Sequence, residues 1–292
     1  MGRPRAAVCA IAKDEGLYLH EWIAYHRLIG FDEILVYDND STDGQTELLD
    51  ELAGHGLVTR VPWTVPPDDV PQFTAYVDGL RRLGPDFGWA AFIDLDEFVV
   101  LPRHDSIQDF LEEFAWLDAI GVNWKNFGSS GLTRYEDAPV IDRFRRCSLP
   151  EYGRNHKVKP LARTSVIARP GKPHTPKVFP PARYLDVSGT QIRDGKSEAV
   201  HHETIRLNHY YTKSQEEWAW KAARGRGGKP ASLPELKHWY PDFESRDRNE
   251  DEERDIVRRL PELLEQMRRI KPVTEVARPR PLALSEPGDE TV

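Results

Sequence analysis

Apolar segments of two different periodicities alternate along the first third of the chain. A continuous apolar run, typical of a strand buried on both faces, occurs at residues 6–12, and "EILVYD", "LVTRVPW" and "WAAFID" are predicted as the next three strands. Between them, apolar residues recur at helical spacing, most clearly from Glu15 to Gly30 and over residues 72–83. Alternating strands and helices predict an α/β fold, with a mostly parallel sheet flanked by crossover helices.

Acidic side chains follow three of these four predicted strands. They are Asp14 and Glu15 after the first, Asp38 and Asp40 after the second, and Asp94 and Asp96 after the fourth. Ligands of such sheets bind beyond the carboxyl ends of the strands, so we expect these acids to converge on one crevice.

Asp94 and Asp96 form an Asp-x-Asp motif. Alternate residues of an extended segment point the same way, so both carboxylates can face one cation. A hard divalent ion such as magnesium or manganese suits carboxylate oxygens and bridges readily to phosphate. The alternative for the pair alone, a helix cap or a surface turn, stays open.

Composition excludes several classes of protein. The net charge of −8 argues against a nucleic-acid binder, and the longest apolar runs are too short to span a bilayer. Only two cysteines occur, Cys9 and Cys147, in no metal-binding spacing, which indicates a reducing compartment. We therefore expect a cytoplasmic protein whose contact with membranes, if any, is peripheral.

The second half of the chain is less regular. "SQEEWAWKAARG" predicts a helix capped by Ser214, with Glu217 three positions on. From Glu244 the chain is strongly charged and predicts a solvated helix. The predicted division is a catalytic domain over residues 1–228, a charged helical extension over 229–271 and a disordered, proline-rich tail over 272–292.

Several motifs resemble known enzymes. The stretch from "AIAKDEG" through "VYDNDSTDG" resembles the opening of family 2-like glycosyltransferases. Together with "FIDLDEFV", "VNWKNFGSSG", "KVKPLARTSVI", "HTPK" and "LNHYYTKSQEEWAWKAARG", it is similar to glycosyltransferase family 92 and its bacterial relatives, over about residues 6–228.

The resemblance implies a GT-A fold and transfer of a sugar from a nucleotide-sugar donor, with a UDP-sugar expected. It also implies a divalent metal, usually Mn²⁺, with Mg²⁺ as the alternative, and a glycan or lipid-linked acceptor, as in polysaccharide biosynthesis.

The resemblance also implies roles for individual residues. Lys13, Asp14 and Glu15 match the first nucleotide-contacting turn, and Asp38 and Asp40 match the turn that contacts uracil and ribose. Asp94 matches a ribose or metal contact, Asp96 the main metal ligand and His209 the histidine that completes the metal shell; His174 matches a family position without an assigned role.

Other candidates come from the chemistry of transfer. Lys157 and Lys213 are expected to neutralise the departing diphosphate. The candidates for a general base are Glu151, Asp137 and Glu136, because an inverting transfer must deprotonate the acceptor hydroxyl. Trp124 and Phe127 are candidates for stacking on the acceptor sugar, and core packing is the alternative for both.

The leading hypothesis is a metal-dependent, inverting glycosyltransferase. One alternative is a sugar-1-phosphate nucleotidyltransferase, although "AKDEG" lacks the glycine-rich phosphate loop which that reaction requires. The other is a catalytically inactive glycan-binding module that keeps the fold; acids at three strand ends argue against it.

Overall fold

The computed structural model describes residues 2–172, 174–225, 228–237 and 241–279. The strands are β1 Ala6–Ala12, β2 Glu33–Asp38, β3 Thr59–Pro62, β4 Trp89–Phe92, β5 Glu97–Val100, β6 Ala119–Asn126, β7 Arg146–Cys147, β8 Val158–Arg163, β9 Ile167–Lys172, β10 Thr175–Val178, β11 Tyr184–Leu185, β12 Arg206–His209 and β13 Asp251–Glu252. The helices are α1 Gly16–Leu28, α2 Gln45–Gly54, α3 Pro71–Leu83, α4 Ile107–Glu113, α5 Val140–Arg143, α6 Gln215–Arg224, α7 Pro234–Lys237 and α8 Leu260–Arg269, with 3₁₀ turns at Thr164–Val166 and Ile256–Arg259.

The central sheet has the strand order β3-β2-β1-β4-β8-β6-β12-β5, and β11 pairs with β6. Strands β3, β2, β1 and β4 run parallel to one another. Strand β8 is antiparallel to both of its neighbours, whereas β12 is parallel to β6 and antiparallel to β5. The predicted α/β class, with a mostly parallel sheet flanked by helices, is confirmed.

The strands β1, β2 and β4 are buried, which explains their apolar composition. Along β1, Val8 and Ala10 pack into one cluster with helix α1, while Ala7 and Cys9 pack into a second cluster with helix α3. Burial of such side chains is the main favourable contribution to folding. Both cysteines are buried and unpaired.

Strand register brings distant segments to one edge of the sheet. The loops that follow β1, β2 and β4 leave the same edge because these strands are parallel. Strand β12 then pairs antiparallel with β5, so that His209 lies opposite Glu97. This register places His209 beside the Asp-x-Asp motif, although more than a hundred residues separate them in sequence.

The Asp-x-Asp motif is not extended, contrary to prediction. Strand β4 ends at Phe92, and residues 95–96 form a turn in which Glu97 N donates to Asp94 O at 3.1 Å. The turn is needed because the chain must leave β4 and enter β5 elsewhere in the sheet. The two carboxylates therefore converge through the turn and not through strand periodicity.

The C-terminal part also differs from prediction. Strand β13 pairs with β7, and helix structure is confined to α8 and the short turn before it, so the predicted solvated helix from Glu244 is wrong in extent. Glu253 is buried and accepts hydrogen bonds from Arg206 and from Lys125 Nζ. The charged segment therefore packs onto the sheet, because its acids pair with basic residues there.

Part of the predicted tail lies against α2. Glu51 accepts from Val273 N at 2.8 Å and from Thr274 N at 3.0 Å. Gly44 has a φ of +93°, and a Cβ there would lie 2.8 Å from the Glu275 carbonyl oxygen, so both the turn and the tail contact favour glycine. Residues 280–292 of the predicted tail lie outside the described residues, and the domain division stays a prediction.

No helix within the described ranges combines the length and the apolar character needed to cross a membrane.

Candidate active site

A cavity of about 430 Å³ opens at the edge where β1 and β4 end, beneath the last turn of α6. Its acidic lining residues are Glu15, Asp94 and Asp96, and its basic lining residues are Lys13, Arg154, Lys157, Lys159, Lys221, Arg224 and Lys229. Cations therefore outnumber carboxylates here, although the whole chain carries a net charge of −8. Such a local excess of cations favours an anionic ligand.

Asp94 is held by three donors. Lys159 Nζ lies 2.8 Å from Asp94 Oδ2, and Gln72 Nε2 and Tyr76 Oη donate to Oδ1 at 2.6 and 3.3 Å. Burial opposes the charge of Lys159, but Asp94 and Glu97 outweigh it and raise the pKa of Lys159 above its usual value. Lys159 therefore stays charged, and the Asp94 carboxylate is fixed at the cavity wall.

Asp96 is buried between a lysine and a histidine. Its Oδ2 accepts from Lys221 Nζ, and its Oδ1 lies 3.6 Å from His209 Nε2. Burial opposes ionisation, but Lys221 and other neighbouring cations hold the pKa of Asp96 well below its usual value. Burial also lowers the pKa of His209 well below its usual value, so the imidazole is neutral and its nitrogen lone pair can bind a cation.

Asp96 and His209 fit a shared metal ion. Two ligand atoms that each lie about 2.1 Å from one ion are at most about 4.2 Å apart, and the Oδ1–Nε2 distance of 3.6 Å meets that limit. Within the part of the chain that the structure describes, no three or more His, Cys, Asp or Glu side chains are grouped to hold a metal. Asp96 and His209 could therefore supply two ligands to one ion. The assignment of Asp94 as a third ligand stays a prediction.

The buried side chain of Glu97 holds the Asp-x-Asp turn and the Trp124 ring in place. Its side chain is fully buried and accepts from Trp124 Nε1 at 2.7 Å and from Asp94 N at 2.9 Å. Burial, opposed by Lys159, raises the pKa of Glu97 to about 8. Glu97 thus positions both the Asp-x-Asp turn and the Trp124 ring, and sequence analysis missed it, since only its location next to Asp96 pointed to it.

The second strand end contributes Asn39 to the cavity. Asp38 is buried outside it and accepts from Gln45 Nε2 at 2.7 Å and Thr46 Oγ1 at 2.6 Å, with Arg60 Nη1 at 3.3 Å. Asp40 accepts from Thr64 Oγ1 and does not line the cavity either. The predicted contacts of these two aspartates with uracil and ribose stay predictions. In the structure Asp38 has a bracing role, which means that its carboxylate joins the start of α2 to Arg60 of β3.

Replacing Asp38 with alanine is expected to lower the free energy of unfolding by about 2–4 kcal/mol, because three donors lose their buried acceptor. Urea unfolding followed by circular dichroism measures this change. Asp50→Ala, which removes the exposed partner of the same Arg60, is the matched control and should cost much less. Equal stability of Asp38→Ala and wild type would contradict the bracing role.

The remaining candidates fall into three groups. Lys13, Glu15, Lys157, Trp124 and His174 line the cavity with Asp94, Asp96 and His209. Asp14 and Lys213 line a neighbouring cavity instead. Glu136, Asp137 and Glu151 are exposed and line neither cavity, and Phe127 is buried against Tyr210, with ring centroids 4.5 Å apart. The base and acceptor roles of this third group stay predictions.

Ring contacts order the wall of the cavity. Trp124 packs against His209 with ring centroids 4.2 Å apart, and the Lys157 ammonium lies 5.5 Å from the Trp124 ring centroid. His174 Nδ1 donates to Val158 O at 2.7 Å, and the His174 ring packs edge-on against Trp124. These contacts fix the imidazole of His209 in place next to Asp96.

The predicted diphosphate contacts are Lys157 and Lys213, whereas Lys159 and Lys221 contact the two aspartates. Lys159 and Lys221 lie two and eight residues after the predicted lysines, and the sequence does not show which lysine faces inward. Gln72 gave no signal at all, because a glutamine at the start of a helix is unremarkable in sequence.

The comparison with protein families decides the identity. The family model for glycosyltransferase family 92 matches residues 7–240. The chain belongs to glycosyltransferase family 92. Curated family 92 proteins of Oryza sativa subsp. japonica and Ricinus communis are 33% and 34% identical to it over 131 and 146 residues. These matches cover 44% and 45% of this chain but only 22% and 24% of the relatives, so this family 92 chain matches about a quarter of their length.

Among solved structures, residues 1–349 of S. aureus TarS are similar to this family 92 chain with a TM-score of 0.36 and 12% identity, covering 56% of this chain and 48% of that one. Glucosyl-3-phosphoglycerate synthase from Mycobacterium tuberculosis, solved with Mn²⁺ and UDP, has a TM-score of 0.28 and 18% identity, covering 41% and 44%.

Proposed function

We propose that this family 92 protein transfers a sugar from a nucleotide-sugar donor, a UDP-sugar, to a hydroxyl group of a glycan or lipid-linked acceptor. The observation that carries the proposal is the cation-rich cavity around Asp94, Asp96 and His209 at the carboxyl ends of β1 and β4. A nucleoside diphosphate matches it, because it combines a flat base with a compact, strongly negative group.

The lining of the cavity suits the two parts of such a donor. Ile11, Ala12, Pro71 and Asn39 contribute apolar surface and one amide, which suit a nucleobase. Lys221, Arg224 and His209 contribute two cations and an imidazole, and Lys221 and His209 lie against Asp96. In the proposed orientation the diphosphate lies beside these three residues, which we call the diphosphate end of the cavity.

The residues of the diphosphate end have a direct chemical task. As the bond between the anomeric carbon and the β-phosphate oxygen breaks, negative charge grows on the leaving diphosphate. Lys221 and Arg224, which reach the cavity from the last turns of α6, offset that charge. Asp96 orients Lys221 through the contact between Lys221 Nζ and the Asp96 Oδ2 atom.

A divalent metal, Mn²⁺ or Mg²⁺, belongs to the proposal. When bound, it would supply positive charge to the departing phosphates. Asp96 and His209 are the residues that would hold it, and Lys221 would share the Asp96 carboxylate with it or move to a phosphate oxygen. Inversion at the anomeric carbon is likewise proposed, and the anomeric proton coupling of the product, measured by NMR, tests it.

The proposal is tested by incubating the protein with a panel of nucleotide-sugars and measuring release of the nucleoside diphosphate. With Mn²⁺ we expect turnover of at least one donor, and we expect excess chelator to abolish it and added Mn²⁺ to restore it. Release of pyrophosphate from a nucleoside triphosphate and a sugar 1-phosphate would favour the nucleotidyltransferase. Binding of glycans without turnover of any donor would favour the inactive module.

A further inference from the structure

A second cavity, of about 450 Å³, lies next to the donor cavity. The two cavities share Glu15, Lys221 and Arg224 as lining residues, so these side chains lie between them. Helix α6, the start of α1 and the segment from Ala277 to Pro279 form the rest of the wall. The position suits a ligand that reacts with the donor.

The carboxylates of this second cavity are already paired inside the protein. Asp14 Oδ1 accepts from Thr42 N at 2.6 Å, and Asp43 accepts from Gly16 N at 2.9 Å. In separate contacts, Glu217 accepts hydrogen bonds from both Nη atoms of Arg143, at 2.8 and 3.0 Å, and Glu15 forms an ion pair with Arg224 at 3.0 Å. These acids have donors of their own and leave the cavity short of acceptors.

Two donors in the wall of this cavity have no acceptor among the described residues. The Lys213 ammonium lies 4.1 Å from the centroid of the Tyr18 ring and donates no hydrogen bond to another described residue. The indole Nε1 of Trp220 is buried, and no described residue accepts its proton. A ligand oxygen in the cavity would give the Lys213 ammonium an acceptor.

Lys213 is also unusual in its backbone and its burial. Its φ is +53°, and its side chain lies in the interior, with only 5% of the residue exposed. Burial and the nearby Lys221 lower the pKa of Lys213 to about 8. A cation kept in this environment gains most from an ionised oxygen, because each charge then offsets the cost of burying the other.

We propose that this second cavity binds the acceptor, and that the acceptor is a sugar carrying an oxyanion, either a carboxylate or a phosphate monoester. The inference rests on the proposed function, since it assigns the second substrate of the same reaction. The oxyanion contacts the Lys213 ammonium, and the apolar face of the sugar packs against the rings of Tyr18 and Trp220. The acceptor hydroxyl then points past Lys221 and Arg224 toward the donor.

The test follows the Trp220 indole N–H by NMR in the full chain labelled with ¹⁵N-tryptophan. The chain has eight tryptophans, and Trp220→Phe identifies the resonance by its loss, while the other seven report whether the variant folds. Trp116, which is 60% exposed and lines neither cavity, is the internal control. The probes are methyl β-glucuronide, glucose 6-phosphate, methyl β-glucoside and inorganic phosphate.

We expect methyl β-glucuronide or glucose 6-phosphate to shift the Trp220 resonance until it saturates, while the Trp116 resonance does not move. The sugar that binds with the higher affinity identifies the oxyanion as a carboxylate or a phosphate. Methyl β-glucoside should bind at least about tenfold more weakly, and Lys213→Met should weaken the anionic sugar by a similar factor. Three outcomes would overturn the inference. The Trp220 resonance could respond to neither anionic sugar, or methyl β-glucoside could shift it with the same affinity as the anionic sugars. Inorganic phosphate could also shift it as strongly as glucose 6-phosphate does.

Donor turnover, measured separately on the wild-type protein, keeps the two proposals apart. Turnover of a nucleotide-sugar with no response of Trp220 to any anionic sugar overturns the acceptor site alone. A saturable response of Trp220 with no turnover of any donor overturns the proposed transferase, and with it the assignment of the bound sugar as an acceptor.

Discussion

Asp96→Asn is expected to reduce sugar transfer by about 10³-fold and to weaken binding of UDP in the presence of Mn²⁺. The substitution keeps the shape of the side chain but removes the charge that pairs with Lys221 and that would bind the metal with His209. Turnover of the best donor, together with UDP binding by calorimetry at fixed Mn²⁺, measures both effects.

The matched control is Asp105→Asn, which removes the same charge from a fully exposed side chain far from the cavity. It should leave transfer and UDP binding at wild-type values. Circular dichroism of Asp96→Asn must show a folded protein, since Lys221 loses its buried partner there. Wild-type turnover by folded Asp96→Asn would refute the role given to this aspartate.

Arg206→Ala is expected to lower the free energy of unfolding by about 3 kcal/mol, because it removes one of the two cations that pair with the buried Glu253 and leaves only Lys125. The Arg206 and Glu253 side chains are 1% and 3% exposed, and Arg206 Nη2 also lies 3.0 Å from Asp255 Oδ2. These contacts join β12, which carries His209, to the C-terminal segment. Chemical denaturation of both proteins measures the loss.

Arg254→Ala serves as the control for that experiment. Arg254 pairs with Glu252 on the surface and its side chain is 81% exposed, so its loss should hardly change stability. A C-terminal segment that formed an independent unit would make the two variants equally stable. That outcome would contradict the packing of residues 251–255 onto the sheet.

Strands β1, β2 and β4 could be predicted from sequence because each is buried and therefore reads as an apolar run. Strand β3 lies at the edge of the sheet and is exposed at Thr59 and Pro62. The predicted strand over residues 6–12 coincides with β1, and "EILVYD" coincides with β2. The cap of α6 could also be predicted: the Ser214 side chain accepts from Glu217 N, and the Glu217 side chain accepts from Ser214 N. Local chemistry determines such features, so sequence shows them.

The cavity was only partly predictable, because its composition depends on contacts between distant strands. The rule that ligands bind at parallel strand ends correctly predicted the location of Asp94 and Asp96. The same rule also placed Asp38 and Asp40 in the cavity, whereas their carboxylates contact α2 and Thr64. Which side chain of a turn faces inward depends on its backbone angles, and Asp40 has a φ of +52°. The pairing of Lys159 with Asp94 and of Lys221 with Asp96 requires the folded sheet and helix α6.

The C-terminal segment misled sequence analysis for a related reason. Its many charges are typical of a solvated helix, yet Glu253 is buried because Arg206 and Lys125 provide partners on the sheet. Charge content alone predicts exposure, whereas the location of the opposite charge decides burial.

Titration of the wild-type protein with UDP, by calorimetry in Mn²⁺ and again in chelator, tests the cation-rich cavity most directly. The account predicts saturable binding of one UDP per chain with Mn²⁺ and at least about tenfold weaker binding in chelator. Absence of UDP binding in both conditions, or equal affinity in both, would contradict the proposed diphosphate and metal site at Asp96 and His209.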